Sequence, residues 1–235
     1  MRVSARTVDV PEGAEAGPPS RSVVKAQFAL PHGLGGRLAG WVLVKAGEYS
    51  GMNLTTLELL ALGGDERVLE IGFGPGEAVH LLTERVAAGG VAGVDPSPVM
   101  LARARRRNQQ ARGDVRVDLR LGSAEQLPWP DGSFDAVFAV NSAQLWAPLG
   151  SGIAEVRRVL APGGRVVLAL HQRCVTRAGE SVCAVDLRPQ LIDGLVAAGF
   201  ADVSAESRAG RKGDTAIYVT GRSQSRGQAG VAGTA

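Results

Sequence analysis

The sequence predicts an α/β fold with a largely parallel sheet that is covered by helices on both faces. Segments typical of strands and helices alternate between residues 67 and 198, and this alternation is characteristic of such sheets. A glycine-rich loop follows the first apolar strand, and two strands joined through residues 210–213 come last. We therefore predict seven strands, mostly parallel, with an antiparallel hairpin at the end of the sheet.

The individual elements follow from apolar periodicity and from turn residues. The predicted strands are residues 67–71, 91–94, 115–121, 134–140, 165–170, 201–207 and 215–220. The predicted helices are residues 77–86, 98–110, 152–160 and 187–198. Ala161-Pro162-Gly163-Gly164 is predicted to end the third of these helices and turn the chain into the fifth strand.

The chain divides into four segments. Residues 1–22 are rich in proline and glycine and residues 222–235 in small and polar residues, so both are predicted to be disordered. Residues 64–221 form the main domain, and residues 23–63 are predicted to form a helical cover. Within this cover, Thr55-Thr56-Leu57-Glu58 has the pattern of a capping box and predicts a helix that opens there and runs through Leu62.

Composition narrows the function classes. The formal net charge is only +3, with acids and bases interleaved, so we expect no nucleic-acid partner. The run Arg103 to Arg107 is predicted to be a solvated helix face. No apolar stretch reaches membrane-spanning length, and Cys174 and Cys183 match no metal-ligand spacing. We expect a cytoplasmic protein without membrane insertion and without a metal site.

The most informative segment is Val68-Leu69-Glu70-Ile71-Gly72-Phe73-Gly74-Pro75-Gly76. It predicts a buried strand, a tight loop and then a helix whose free amide groups face the loop. The dinucleotide fingerprint G-x-G-x-x-G does not fit, because Gly76 comes one residue early and Glu77 takes the place of the last glycine. Glu70 at the mouth of the loop suits a cationic or amine-bearing ligand. Asp95 ends the next strand, 23 positions after Gly72, and suits the binding of ribose hydroxyls.

Together these residues resemble the S-adenosylmethionine pocket of class I methyltransferases. Residues 122–135 (GSAEQLPWPDGSFD) resemble a second motif, found in the group that includes the ubiquinone and menaquinone biosynthesis methyltransferases. The resemblance covers residues 65–170 and implies a Rossmann-like class I methyltransferase fold with S-adenosylmethionine as cofactor. The cofactor-binding residues that it implies, beyond the loop glycines, Glu70 and Asp95, are Pro96, Met100, Ser123, Ala124 and Glu125. Ser123 departs from the family, which commonly has an acid there.

The acceptor is expected at the carboxyl ends of the fourth and fifth strands, because ligands of open α/β sheets bind at that edge. Asn141 is predicted near the methionine end of the cofactor, and Gln144 and Trp146 near the methyl acceptor. Core packing is an equally good interpretation of Trp146. Many relatives carry a histidine around position 144 or 145, where this chain has Gln144 and Leu145.

Two residues are candidate general bases. His171 follows the fifth strand, and histidine is a common general base in enzymes, although an ordinary strand-end histidine is the alternative. Tyr49, delivered by the N-terminal cover, is the second candidate, and Met52 is predicted to close over the sulfonium with it. The alternative for this segment is a helix that only packs on the sheet.

These observations predict S-adenosylmethionine-dependent methyl transfer, achieved mainly by positioning. The expected acceptor is a small molecule or a natural product with an oxygen, nitrogen or carbon nucleophile, or the carboxylate of a modified peptide. A nicotinamide-dependent oxidoreductase is one alternative, disfavoured by Glu70, Gly76 and the final hairpin. A non-catalytic protein that binds S-adenosylmethionine is another.

Overall fold

The computed structural model describes residues 48–109, 115–175, 181–209 and 215–224. The predictions for residues 1–47, 210–213 and 225–235 lie outside these ranges. The helices are α1 Glu48–Leu60, α2 Glu77–Thr83, α3 Pro98–Arg107, α4 Leu149–Val159 and α5 Ala184–Ala197. The strands are β1 Arg67–Ile71, β2 Gly90–Asp95, β3 Arg116–Leu121, β4 Phe134–Val140, β5 Leu160–His171, β6 Arg173–Val175, β7 Ser181–Cys183, β8 Phe200–Ala209 and β9 Thr215–Ser223.

Seven of these strands form one sheet in the order β3-β2-β1-β4-β5-β9-β8. The pairs from β3 through β5 are parallel, whereas β9 runs antiparallel to both β5 and β8. The predicted mostly parallel sheet with an antiparallel hairpin at its end is therefore confirmed. The strand order reverses between β1 and β4, and ligands of open α/β sheets bind at such a switch point.

Each face of the sheet has its own hydrophobic core, because successive side chains of a strand point to opposite faces. Val68 of β1 and Phe138 of β4 pack with α1, α2 and α3. Leu69 and Val137, their neighbours in sequence, pack with α4 and α5 on the other face. Most strand residues in the centre are thus apolar, and Glu70 is an exception that needs its own explanation.

The helix α1 corrects the prediction for the cover. The capping-box pattern predicted a helix that opens at Thr55, but Thr55 and Thr56 lie in the interior of α1. Thr56 is fully buried, and α1 buries Leu57 and Leu60 against the sheet. Tertiary packing of an apolar face stabilises helices more than a local pattern does, so this packing carries the helix back to Glu48 at least.

An ion pair holds the end of α1 near the amino ends of the parallel strands, opposite the carboxyl ends where ligands bind. Arg165 donates to the Ala61 carbonyl oxygen, and its Nη2 lies 2.7 Å from Oε1 of Glu66. Burial opposes the ionisation of Glu66, but hydrogen bonds from the Gly63 and Gly64 amides and from Arg165 outweigh it and lower its pKa to about 2. The charged pair thereby holds α1 next to β1 and β5.

Several boundaries differ from the predictions. The segment predicted as a turn, residues 161–164, lies within β5, where Leu160 already pairs with Phe134 and the register shifts before Arg165. Gly163 absorbs this irregularity with φ +79°. The strands β6 and β7 form a short hairpin that the sequence analysis missed. None of the helices in the described part of the chain is long and apolar enough to cross a membrane.

Candidate active site

The candidate site lies at the carboxyl edge of the parallel strands, where the loops after β1, β2, β3 and β4 meet. The glycine loop follows β1, and β2 ends on Asp95 beside it. The segment 122–126 follows β3, and the turn that begins at Asn141 follows β4. Every site residue predicted in the main domain belongs to these loops, to the adjoining strand ends or to the first turn of α3.

The three loop glycines have different roles. All adopt positive φ, at +81° for Gly72, +50° for Gly74 and +77° for Gly76. A Cβ atom on Gly72 would lie 2.3 Å from Oγ of Ser142, and one on Gly76 would lie 2.7 Å from Cβ of Ala104. A Cβ atom on Gly74 would meet nothing within 4 Å. Gly72 and Gly76 thus allow close packing within the protein, whereas Gly74 borders open space that a ligand can occupy.

Asp95 lies beside the glycine loop and also holds it in place through hydrogen bonds. Its Oδ2 accepts a hydrogen bond of 2.9 Å from the Gly74 amide, and its Oδ1 accepts one of 2.8 Å from the Ser97 amide. Burial raises the pKa of Asp95 to about 6, against the opposing effect of these two bonds. Ser97 in turn caps α3, where its Oγ accepts from the Met100 amide. Each carboxylate oxygen keeps a second lone pair for a ligand hydroxyl.

Glu70 is a buried acid in the middle of the site. Its side chain faces α2, where the Val79 amide donates to the carboxyl group, but Oε2 is buried without a hydrogen-bond partner among the described residues. Burial raises the pKa of Glu70 to about 8, the charge of Asp95 adds to this shift, and Glu77 contributes further. An unsatisfied buried carboxyl oxygen is costly, so this position is suited to a ligand that donates a hydrogen bond or carries positive charge.

The other residues that the resemblance assigns to the cofactor lie around the ends of β2 and β3. Ala124 and Met100 are buried, Ser123 is half-buried and Pro96 is exposed. The Glu125 carboxylate accepts a bond of 2.7 Å from the Ala147 amide, which ties this loop to the loop after β4. The contacts of these residues with the cofactor remain predictions.

Leu121, at the end of β3, was missed by the sequence analysis. It pairs in register with Asp95 and is 53% exposed, which makes it an apolar surface beside the predicted ribose ligand. The sequence signal that could have revealed it is a leucine at the last position of a strand whose other exposed positions are polar.

On the acceptor side, Asn141 joins three elements. Its backbone amide donates to the Ala169 carbonyl oxygen of β5. Its Oδ1 accepts a bond of 2.7 Å from the backbone amide of His171, and its Nδ2 donates to Sδ of Met52 over 3.6 Å. Three predicted site residues, which are far apart in sequence, therefore meet in one place.

The other predicted acceptor residues lie on the short 3-10 turn Ala143–Leu145 and directly after it. Trp146 is buried in the core over Gly152 and donates from Nε1 to Oγ of Ser142 over 3.1 Å. Packing accounts for this tryptophan, and its contact with an acceptor stays a prediction. Oε1 of Gln144 is buried without a hydrogen-bond partner among the described residues.

The two candidate bases differ in how the structure places them. His171 is half-buried and ends β5 next to Asn141. The backbone of Tyr49 belongs to the first turn of α1, three residues before Met52, and its side chain lies outside what the structure describes. The described ranges contain no group of three His, Cys, Asp or Glu side chains placed to hold a metal ion.

Comparison with known proteins agrees with this geometry. A family model described as "Methyltransferase domain" matches residues 69–168. The "Uncharacterized methyltransferase YdaC" of Bacillus subtilis (strain 168) is 31% identical over 169 residues, which are 72% of this chain and 89% of that protein. The demethylmenaquinone methyltransferase of Thermus thermophilus is 41% identical over 103 residues, 44% of this chain and 46% of the relative.

Among solved structures, the [4+2]-cyclase SpnF matches with a TM-score of 0.63 at 22% identity, covering 74% of this chain and 81% of SpnF. At this identity the likeness concerns the fold alone. The fold and the relatives lead to the same family.

Proposed function

Because this chain belongs to the class I S-adenosylmethionine-dependent methyltransferases, we propose that it methylates a small-molecule acceptor, mainly by positioning the acceptor's nucleophile. The predicted family and cofactor are confirmed, and the nicotinamide-dependent alternative is thereby set aside. The observation that carries the proposal is the unsatisfied buried acid Glu70 on the cofactor side, across from an acceptor side where Asn141 and Ser142 bond to other protein groups.

Residues on the cofactor side fit S-adenosylmethionine. The open space over Gly74 admits a ligand to the backbone, Asp95 has free lone pairs for ribose hydroxyls, and buried Glu70 suits a cationic amine. The bound cofactor supplies an electrophilic methyl group on a sulfonium. The protein therefore needs no Lewis acid to activate the methyl donor, and its remaining task is to hold the acceptor.

On the acceptor side, the groups with defined contacts favour positioning over acid–base chemistry. Asn141 and Ser142 bond to other protein groups, and Gln144 occupies the position where many relatives have a histidine. Alignment and exclusion of water supply a large part of the acceleration when the acceptor is already a ready nucleophile, with effective molarities of about 10⁵–10⁸ M in favourable cases.

We propose a quinol, phenol, amine or carboxylate of a small natural product, or of a modified peptide, as the acceptor. The relative named a demethylmenaquinone methyltransferase supports a small-molecule acceptor. A cytoplasmic location is part of the same proposal. It is supported by the low cysteine content, because two cysteines in a chain of 235 residues are typical of a reducing compartment.

A binding and turnover experiment tests the proposal. The purified full chain is titrated with S-adenosylhomocysteine and with NAD by calorimetry, and we expect binding of the former in the micromolar range or tighter, about −8 kcal/mol, and none of NAD. S-adenosylmethionine is then supplied with a panel of quinols, phenols, amines and carboxylates, and methyl transfer is followed by mass spectrometry. Cofactor binding without transfer to any member would contradict the proposed acceptor class and favour a non-catalytic binding protein.

A further inference from the structure

The turn Asn141-Ser142, at the end of β4, contacts both halves of the site. On one side Ser142 lies so close to Gly72 that no side chain fits between them, since a Cβ atom on Gly72 would be 2.3 Å from Oγ of Ser142. On the other side Asn141 bonds to Met52 in α1 and to the His171 amide at the end of β5. A single two-residue turn therefore touches the glycine loop, the cover helix and the last parallel strand.

We propose that Asn141 is a positioning residue that couples the glycine loop to the cover helix α1, and that it acts through Met52 and His171 without binding the cofactor directly. The proposal rests on the proposed function, because it concerns how the cofactor and acceptor sides of one site are held together. It differs from the sequence-based prediction that Asn141 contacts the methionine end of the cofactor.

The bonding of the Asn141 amide supports this role. Its oxygen accepts from the His171 backbone amide at 2.7 Å, and its nitrogen donates to the Met52 sulfur at 3.6 Å. A thioether is a weak acceptor, so the bond to Met52 is the more easily broken of the two. The coupling to α1 is thus modest in strength, which suits a helix that covers a ligand site.

The backbone of this turn explains the choice of residue. Asn141 has φ +50°, a left-handed conformation that asparagine tolerates better than most residues. Glycine would adopt this conformation but would lack the amide. Aspartate would keep the acceptor for the His171 amide but would lose the donor for Met52. Asparagine combines the backbone geometry with both bonds.

Ser142 extends the coupling to the cofactor side. Its Oγ accepts from Nε1 of Trp146 at 3.1 Å, and the tryptophan is buried against α4, so the serine is fixed in place. A ligand that orders the glycine loop through Gly74 would then stabilise Gly72 against Ser142 and, through Asn141, the contact with α1. Cofactor binding should therefore protect α1, although α1 lies on a different part of the chain.

Hydrogen exchange of the full chain, with and without S-adenosylhomocysteine, tests this coupling. Asn141→Gly removes the amide while allowing positive φ, and Asn141→Asp keeps the acceptor for the His171 amide but replaces the donor to Met52 by a charged carboxylate oxygen. Ser133→Ala is the matched control, because it also removes a side-chain hydrogen bond, from Oγ to the Pro130 carbonyl oxygen, but directly before the start of β4, whereas Asn141 follows its end. Calorimetry measures the affinity of each variant for S-adenosylhomocysteine.

We expect Asn141→Gly to raise exchange of the α1 amides by about tenfold or more and to abolish the protection of α1 by S-adenosylhomocysteine. Its affinity should change by less than about threefold. Asn141→Asp should raise α1 exchange to a smaller extent, and Ser133→Ala should leave it within about twofold.

Unchanged exchange of α1 in both Asn141 variants, with ligand protection intact, would overturn the coupling. A loss of affinity beyond about tenfold with α1 unaffected would overturn it in favour of a direct cofactor ligand. If the wild-type chain itself does not bind S-adenosylhomocysteine, the proposed function fails, and this outcome is distinct from both.

Discussion

The cofactor side and the acceptor side of the carboxyl edge are built in opposite ways. The cofactor side is drawn from one short stretch and the next strand end, and it keeps two buried acids with raised pKa values, Glu70 and Asp95. The acceptor side gathers Met52, Asn141 and His171 from distant parts of the chain and joins them through hydrogen bonds. The cofactor has the same chemical structure throughout the family, so a short local motif is enough to bind it. Binding of the acceptor depends instead on how separate segments of the chain pack together.

The largest effect is expected at the glycine loop. Gly74→Val should lower the affinity for S-adenosylhomocysteine by at least about 100-fold, or 2.7 kcal/mol, because the side chain would enter the ligand space at positive φ. Gly150→Val is the control, since a Cβ there also meets nothing within 4 Å but Gly150 lies on α4, away from the glycine loop. Calorimetry and thermal melting measure both. Normal affinity in a folded Gly74→Val would show that the loop does not face the cofactor.

Gly72→Val separates packing from binding within the same loop. Because its Cβ would collide with Ser142, we expect it to lower the melting temperature more than Gly74→Val does.

Removing the Asp95 carboxylate should have the next largest effect. Asp95→Ala loses bonds to ribose hydroxyls, each worth about 1.5–3 kcal/mol, and also frees the amides of Gly74 and Ser97. Cofactor affinity should fall by about 10- to 1,000-fold. Asp186→Ala, an exposed acid on α5, should leave the affinity unchanged. Equal affinities for the two variants would remove Asp95 from the site.

The raised pKa of Glu70 predicts a pH dependence on the cofactor side. This carboxyl has a pKa of about 8 in the folded protein against 4.5 as its ordinary value, so the folded state binds the proton more tightly. The resulting stabilisation is complete below about pH 4.5 and is lost as the pH rises through about 8. The melting temperature of the unliganded protein should therefore fall between pH 6 and about 8.5, by about 2–4 °C for each kcal/mol lost.

Glu70→Gln should flatten this slope, because the amide does not ionise. Affinity for S-adenosylmethionine should in contrast rise with pH in the wild-type protein as Glu70 becomes charged, and this rise should also be absent in the variant. Identical pH profiles of melting for wild type and Glu70→Gln would show that Glu70 does not titrate in this range.

The smallest effect is expected at His171 on the acceptor side. If the acceptor is a ready nucleophile, His171→Ala should reduce turnover by less than about threefold, whereas the loss of a general base costs about 10²–10⁴-fold. His80→Ala, on the exposed face of α2, is the control. A thousandfold loss of turnover with intact cofactor affinity would identify His171 as the base. The acceptor side would then also depend on a titratable side chain, as the cofactor side does.

The N-terminal cover can be tested by truncation, but the structure changes where the cut should fall. A deletion of residues 1–53 would divide α1 and remove Met52, so loss of turnover would not separate covering from folding. Deletion of residues 1–47 keeps all of α1 that the structure describes. We expect it to lower turnover more than cofactor affinity if the cover closes over the acceptor.

Local sequence patterns were sufficient to predict the family, the cofactor and the order of the main elements. Strand β1, its glycine loop and Asp95 are local patterns whose residue types and spacing suffice for recognition, because the backbone conformation and the ligand chemistry depend on few neighbours. The same holds for β4, which was predicted with the boundaries that the structure shows. Such predictions do not require knowledge of which helices and strands pack against each other.

Residues whose roles depend on distant neighbours could be interpreted only from the three-dimensional packing. Spacing cannot distinguish Gly74, which borders open space, from Gly72 and Gly76, which pack against Ser142 and Ala104. Thr55 carries a capping signal, but burial of the apolar face of α1 places it inside a helix. Asn141 bonds to a residue 89 positions away. Such contacts form only when the sheet brings strand ends together, because packing energy outweighs the local preferences from which sequence predictions are made.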